Sequence, residues 1–168
     1  TGPIVLKSNV DLHLEKGALV LFNPELSLYP LIDTWYEGWE SRRCQSPISA
    51  RGQENIAITG EGAFDGSGHA WRGVNREKVN DYEWSWLQRQ GGTVTGSRWV
   101  PDGDRQRIRP VMLSIVECKG VLLEDFLIQN SPNWTIHPLF SENIIIDNLL
   151  VKNPSWAGNG DGIDLESC

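Results

Sequence analysis

The 168-residue chain contains no run approaching the roughly 20 consecutive apolar residues that a membrane-crossing helix needs. Its opening residues, Thr1, Gly2, Pro3, Ile4, Val5 and Leu6, lack the basic stretch and apolar run of a secretory leader, so any leader lies upstream or has been removed. Positive charge is in short supply: 15 Lys and Arg against 22 Asp and Glu leave a net charge of -7. That balance argues against nucleic acid or an anionic membrane as the main partner. It is compatible with an acidic polysaccharide gripped by a few placed Arg and Lys side chains. Cysteine is scarce as well. Cys44, Cys118 and Cys168 show neither the paired spacing of a zinc site nor the density of a disulfide scaffold. Cys118 and Cys168 read as small buried side chains, and a disulfide at Cys44 is left open.

What the chain does contain is a repeat. When residues 120–132 (GVLLEDFLIQNSP) are written above residues 143–155 (NIIIDNLLVKNPS), Val121 falls on Ile144, Leu123 on Ile146, Phe126 on Leu149, Ile128 on Val151 and Asn130 on Asn153. The offset, 144 minus 121, is 23. Residues 9–14 (NVDLHL) and 55–60 (NIAITG) share the same opening, and 55 minus 9 is 46, twice that offset. Short β-branched runs bounded by Gly, Asn, Pro and Asp read as strands between tight turns. A fixed period in this range marks a stacked architecture, in which each inward side chain sits on its counterpart in the next coil. A leucine-rich repeat would show its own Leu and Asn signature, and helical repeats need a period near 3.6; neither is present. The expected fold is all-β, a parallel β-helix forming a single domain over residues 1–168. Asn130 and Asn153 are expected to form an asparagine ladder at a turn.

Two regions break the period. Residues 23–46 hold Trp35, Tyr36 and Trp39; residues 66–109 hold Trp71, Trp84, Trp86 and Trp99, with one short helix expected around residues 81–90. Both read as insertions. Long loops on a rigid solenoid commonly emerge on one side and line a groove. Arg105, Arg107 and Arg109 alternate, so an extended backbone would put all three on one face as candidates for binding a carboxylate.

Chemistry concentrates in residues 159–164 (NGDGID), with Asp161 and Asp164 around a Gly-Ile pair. Strand alternation would put Asp161 and Ile163 on one face and Asp164 on the other. Taken alone, such a segment is also compatible with a turn or a calcium loop, although calcium wants six to eight oxygens and a richer Asp/Asn series. His137 either touches a ligand or caps a turn. Trp134 and Trp156 are candidates for stacking on a ligand's flat face, against plain core packing. His13 and His69 read as ordinary polar residues.

Taken together, residues 131–138 (SPNWTIHP), 142–146 (ENIII), Asn153-Pro154 and 159–164 resemble the polygalacturonases, glycoside hydrolase family 28. Residues 55–62 and 64–68 (FDGSG) resemble that family's first coils. The family signature is Asn-Thr-Asp-Gly, a hydrophobic residue and Asp; Gly160 stands here where Thr is usual. The resemblance implies a right-handed parallel β-helix, a solenoid truncated on its C-terminal side, because the family's Gly-Asp-Asp, Gly-His-Gly and Arg-Ile-Lys motifs are not found by Cys168. It implies inverting hydrolysis of α-1,4-galacturonosidic bonds in a pectic polymer, without cofactor or metal, by a monomer working in the periplasm or outside the cell. Asp161 is implied as a catalytic carboxylate that helps activate water. Asn159, His137, Trp134 and Asp164 are implied as substrate-binding or supporting residues. The 168 residues alone are expected to be inactive. The alternatives are a pectate-lyase-like enzyme and a non-catalytic polysaccharide-binding β-helix. Endo and exo cleavage are both left open.

Overall fold

The structure is a computed structural model and describes residues 1–103 and 105–168. Why its strands form is plain in Glu54–Thr59: Ile56 and Ile58 are buried while Ala57 and Thr59 are only half-buried, the period of two that leaves one face of a strand apolar. That apolar face is covered by the next coil. Ile56 pairs with Val121 and Val121 with Ile144, while Ile58 pairs with Leu123 and Leu123 with Ile146. The offset of 23 is therefore one physical coil of the chain.

Three four-stranded parallel sheets result. The first stacks Ile4–Val5, Ile48–Arg51, Leu113–Val116 and Ile136–Leu139. Next comes a stack of Asp11–His13, Glu54–Thr59, Lys119–Glu124 and Glu142–Asp147. The third holds Leu19–Leu21, Ala63–Asp65, Leu127–Gln129 and Leu150–Lys152. The chain visits the sheets in this order in every coil, which makes a parallel β-helix. A further coil is opened by parallel bridges from Ile136 to Ile163 and from Leu139 to Glu166. Among the described residues no helix is long and apolar enough to cross a membrane.

The turns repeat as strictly as the strands. Between the first and second sheets the backbone becomes left-handed at Gly52, Glu117, Phe140 and Ser167, with φ of 61°, 54°, 50° and 51°. It does so again at Asn9, Asn55, Gly120 and Asn143, with φ of 63°, 53°, 68° and 56°. Asparagine tolerates this conformation better than other non-glycine residues, which explains the Asn that opens three of the four second-sheet strands. Asn55 Nδ2 donates to Asn9 Oδ1 at 3.0 Å, so an asparagine rung exists here.

The rung expected between Asn130 and Asn153 does not form. Asn130 Nδ2 donates to Asp65 Oδ2 (2.6 Å), whereas Asn153 accepts from the Ser131 amide (2.8 Å) and donates to Thr135 Oγ1 (2.8 Å) and the Gly160 carbonyl (2.9 Å). The two backbones differ: Asn130 is left-handed (φ 51°) and Asn153 is not, so their amides point to different coils.

Within the coils Phe22, Phe64 and Phe126 form a column, with ring centroids 6.4 Å and 5.5 Å apart. Each such ring contributes roughly 1.5–3 kcal/mol on burial. Between Leu21 and Ile48 the chain makes an antiparallel hairpin, Leu31–Tyr36 with Trp39–Cys44, turned by Glu37 and Gly38 at φ of 55° and 76°. Between Asp65 and Leu113 lie the helix Asp81–Arg89 and an antiparallel sheet of Val74–Asn75, Arg98–Val100 and Thr93–Thr95. The helix is started by a reciprocal cap, in which Asn80 accepts from the Glu83 amide and Glu83 from the Asn80 amide, both at 2.9 Å. Val74, Val79, Leu87, Trp99 and Trp156 make a second small core there. Cys44 and Cys118 are buried and free; Cys168, expected to be buried, is exposed, because it follows the left-handed Ser167 at the edge of the stack.

Candidate active site

The segment from Asp161 to Glu166 lies beside Ile136–Leu139 as the next strand of the first sheet. The Thr135 and Ile136 amides donate to the Asp161 and Gly162 carbonyls (2.9 and 3.1 Å), and the Asp164 and Glu166 amides donate to Ile136 and Pro138 (2.9 and 3.0 Å). Because Ile163 bridges to Ile136, a core residue, alternation turns Asp164 and Glu166 to the opposite face, the one His137 shares. Asp161, at the start of that segment, is exposed, and Asp164 is half-buried.

Asp164 is the electrostatically unusual group. Burial, then the charges of Asp161 and Glu166, push its carboxyl up to about 6 from 3.8. Its Oδ2 is buried with no hydrogen-bond partner among the described residues. Glu166 is engaged on the other side: His137 Nε2 donates to its Oε2 at 2.6 Å, and His137 is 2% exposed.

Trp134 and His137 are less accessible than their sequence positions suggested. The Tyr36 ring of the hairpin stacks on Trp134, 4.2 Å between centroids and 21° from parallel, and His137 meets the same indole edge-on at 5.3 Å. Tyr36 itself lies under the Arg43 guanidinium, 3.5 Å from its ring centroid, and its hydroxyl accepts from Asn133 Nδ2 (3.0 Å). Both residues are buried, Trp134 beneath Tyr36 and His137 against Glu166.

Asn159 is exposed and left-handed (φ 57°), and its Oδ1 accepts from Arg109 Nη2 at 2.8 Å. Arg109 and Arg72 both donate to the Gly158 carbonyl, at 3.2 and 3.1 Å, and Arg72 also donates to the Ser131 carbonyl. Burial, then the charge of Arg109, draws Arg72 down to about 9; burial also lowers Arg109. The shared face expected for Arg105, Arg107 and Arg109 is not formed, because residues 106–108 make a turn instead of an extended run. Arg105 donates to Pro24 and lies near Trp71, Arg107 is exposed, and Arg109 alone reaches Asn159.

Two residues of this neighbourhood escaped sequence reasoning for different reasons. Glu166 was legible, since the alternation that turns Asp164 outward does the same two residues on. Nothing in the sequence marks Arg72, which reaches the site from an inserted segment.

A family model, Glycosyl hydrolases family 28, matches residues 9–168. The chain belongs to that family. This family 28 chain is 26% identical over 174 residues to a probable polygalacturonase of Vitis vinifera, covering 100% of the chain and 30% of the relative. It is 28% identical over 176 residues to an endo-polygalacturonase of Pectobacterium carotovorum, covering 98% of the chain and 38% of the relative. Among solved structures it resembles the hyperthermoactive exopolygalacturonase of Thermotoga maritima, with a TM-score of 0.69 and 32% identity, covering 97% of the chain and 38% of that structure. The family 28 coil is thus a right-handed parallel β-helix. The chain spans about a third of the length of the curated relatives it matches, 30% and 38%.

Proposed function

We propose that this chain supplies one part of the active site of a pectin hydrolase that cleaves α-1,4-galacturonosidic bonds with inversion. The observation that carries the reading is the strand at residues 161–166, which presents an open Asp161 beside the partly buried Asp164 in a chain of family 28. In an inverting hydrolysis one carboxylate takes a proton from water while a carboxylic acid protonates the leaving oxygen, the two standing roughly 6.5–9.5 Å apart across the sugar. Asp161 is the residue assigned to the water. Asp164, which holds a proton up to about pH 6, limits the negative charge next to it. Asn159, fixed by Arg109, borders the sugar, and the His137–Glu166 pair with Trp134 holds the strand in place from behind. Asp161 and Asp164 come from one short segment, so the 168 residues by themselves are expected to lack the opposing acid and to release no sugar.

The substrate assigned is galacturonan or a related pectic polymer, and the working location the periplasm or the exterior, where such polymers lie. The relatives, polygalacturonases from a plant and from bacteria, support this assignment. The test is to follow the anomeric protons of the first product by NMR when the full-length protein meets galacturonan. The β-anomer appearing first is the expected result. The α-anomer first would remove inversion, and an unsaturated product would replace hydrolysis with elimination.

A further inference from the structure

A cavity of about 570 Å³ runs along the third sheet where the coils leave it. Each coil contributes to it at or just past the end of its third-sheet strand: Leu21, then Asp65, then Asn130, then Pro154. Three steps between stacked strands span about 14 Å, so the cavity is elongated along the stack. The inserted helix Asp81–Arg89 supplies another wall through Tyr82, Glu83 and Trp86. None of Asn159, Asp161 and Asp164 borders it. A cavity of this size suits an organic ligand of linked rings rather than a single ion.

Its polar groups are acids held in place by protein donors. Asp65 Oδ2 accepts from Gln129 Nε2 (2.9 Å) and Asn130 Nδ2 (2.6 Å), and its Oδ1 accepts from the Ser67 amide (2.9 Å). Glu83 Oε2 accepts from the Asn80 amide at 2.9 Å. A carboxylate offers about four lone-pair positions, so both acids retain capacity for hydroxyl donors. Arg72, the cation at this cavity, is 2% exposed and donates to the Ser131 and Gly158 carbonyls. The apolar walls are aromatic. Trp86 meets the His69 ring edge-on at 5.0 Å, Trp156 is anchored in the second core, and Tyr82 stands 75% exposed at the mouth. Burial draws the His69 imidazole below its usual value, against the pull of Asp65, which keeps it neutral at pH 7. Flat rings beside fixed acceptors match a neutral sugar, which has apolar C–H faces and hydroxyl donors. A uronate would bring a further negative charge beside Asp65 and Glu83, and a wholly apolar ligand would strip water from both acids without replacing its hydrogen bonds.

We propose that the cavity between the third sheet and the inserted helix is a second carbohydrate site, which binds a short chain of neutral pentose or hexose units and is separate from the strand that bears Asp161. Tyr82, Trp86 and Trp156 take the sugar faces, and Asp65 and Glu83 accept from the hydroxyls. The site does not depend on the hydrolytic assignment made above. A polymer with a charged backbone and neutral branches is then held at two places at once, which raises its affinity without any new contact at the bond to be cleaved.

The test is calorimetric titration of the full-length protein with two neutral oligomers, galactotetraose and arabinotetraose, repeated on the Tyr82→Ala, Glu83→Gln double variant and on Asp161→Asn. Tyr82 is exposed, and glutamine at position 83 can still accept from the Asn80 amide, so the double variant keeps the helix and its cap. The expected result is that at least one oligomer binds, that the double variant weakens it by roughly tenfold, and that Asp161→Asn leaves it unchanged. Binding of neither oligomer, an affinity untouched by the double variant, or one that falls with Asp161→Asn would overturn the site. The readout does not depend on turnover: a protein that fails to hydrolyse galacturonan counts against the function proposed above and leaves the neutral-sugar titration to judge this site.

Discussion

Phe64 and Trp99 are both fully buried, at 0% and 1% exposure, but they are buried by different means. Phe64 sits in a column, with Phe22 on one side and Phe126 on the other, each supplied by the equivalent place in the adjoining coil. Trp99 sits in a core assembled from an inserted sheet and helix, against Val74, Val79 and Leu87, and it packs with Trp156 from the segment just ahead of Asn159. The coils carry the fold, and the inserted core shapes the edge of the site. If so, damage to the two should spread differently.

The largest effect is expected from Phe64→Ala, which opens a cavity in a column shared by three coils and should cost about 3–5 kcal/mol. Thermal unfolding would show it as one cooperative transition moved down, with amide exchange faster in all three parallel sheets. Trp99→Ala also removes a fully buried ring, but a peripheral core collapses more readily, so a loss of about 2–4 kcal/mol is expected. Exchange should rise in Asp81–Arg89 and around Trp156 while the strands stacked on Ile58 stay protected. Equal loss of protection throughout the molecule after Trp99→Ala would erase the distinction.

Asp164→Asn is the smallest perturbation. In the folded chain Asp164 keeps its proton to a higher pH than a free aspartate, so the folded state binds the extra proton. The stability that follows is present in acid and is lost as pH rises from about 4 to about 6. Replacing the carboxyl with an amide removes that loss. After allowance for solvent screening, the variant should gain on the order of 1 kcal/mol over the parent at pH 7, and the gain should close near pH 4. A denaturation series across that pH range checks both the sign and the window.

The same contrast explains what could be read from the amino acids. Val121 on Ile144 and Ile128 on Val151 are legible because one coil restricts the next: an inward position must match the side chain above it. Asn9 and Asn55 carry a second, backbone signal, the left-handed turn. The family was legible by resemblance, and alternation separates Ile163 from Asp164. The sequence leaves Trp134 open between stacking on a ligand and core packing; its cover, Tyr36, was not legible, because it arrives on a hairpin whose placement no period dictates. The diverging arginines failed for a related reason. Alternation has meaning only on an extended backbone, and residues 106–108 turn.

The central claim is that Asp161 activates the attacking water. It is tested most directly by the rate at which the full-length Asp161→Asn protein hydrolyses galacturonan, measured beside its affinity for the same polymer. The account predicts a fall in turnover of roughly 10²–10⁴-fold, the scale of a lost general base, with affinity little changed. Turnover within a few-fold of the parent would contradict it.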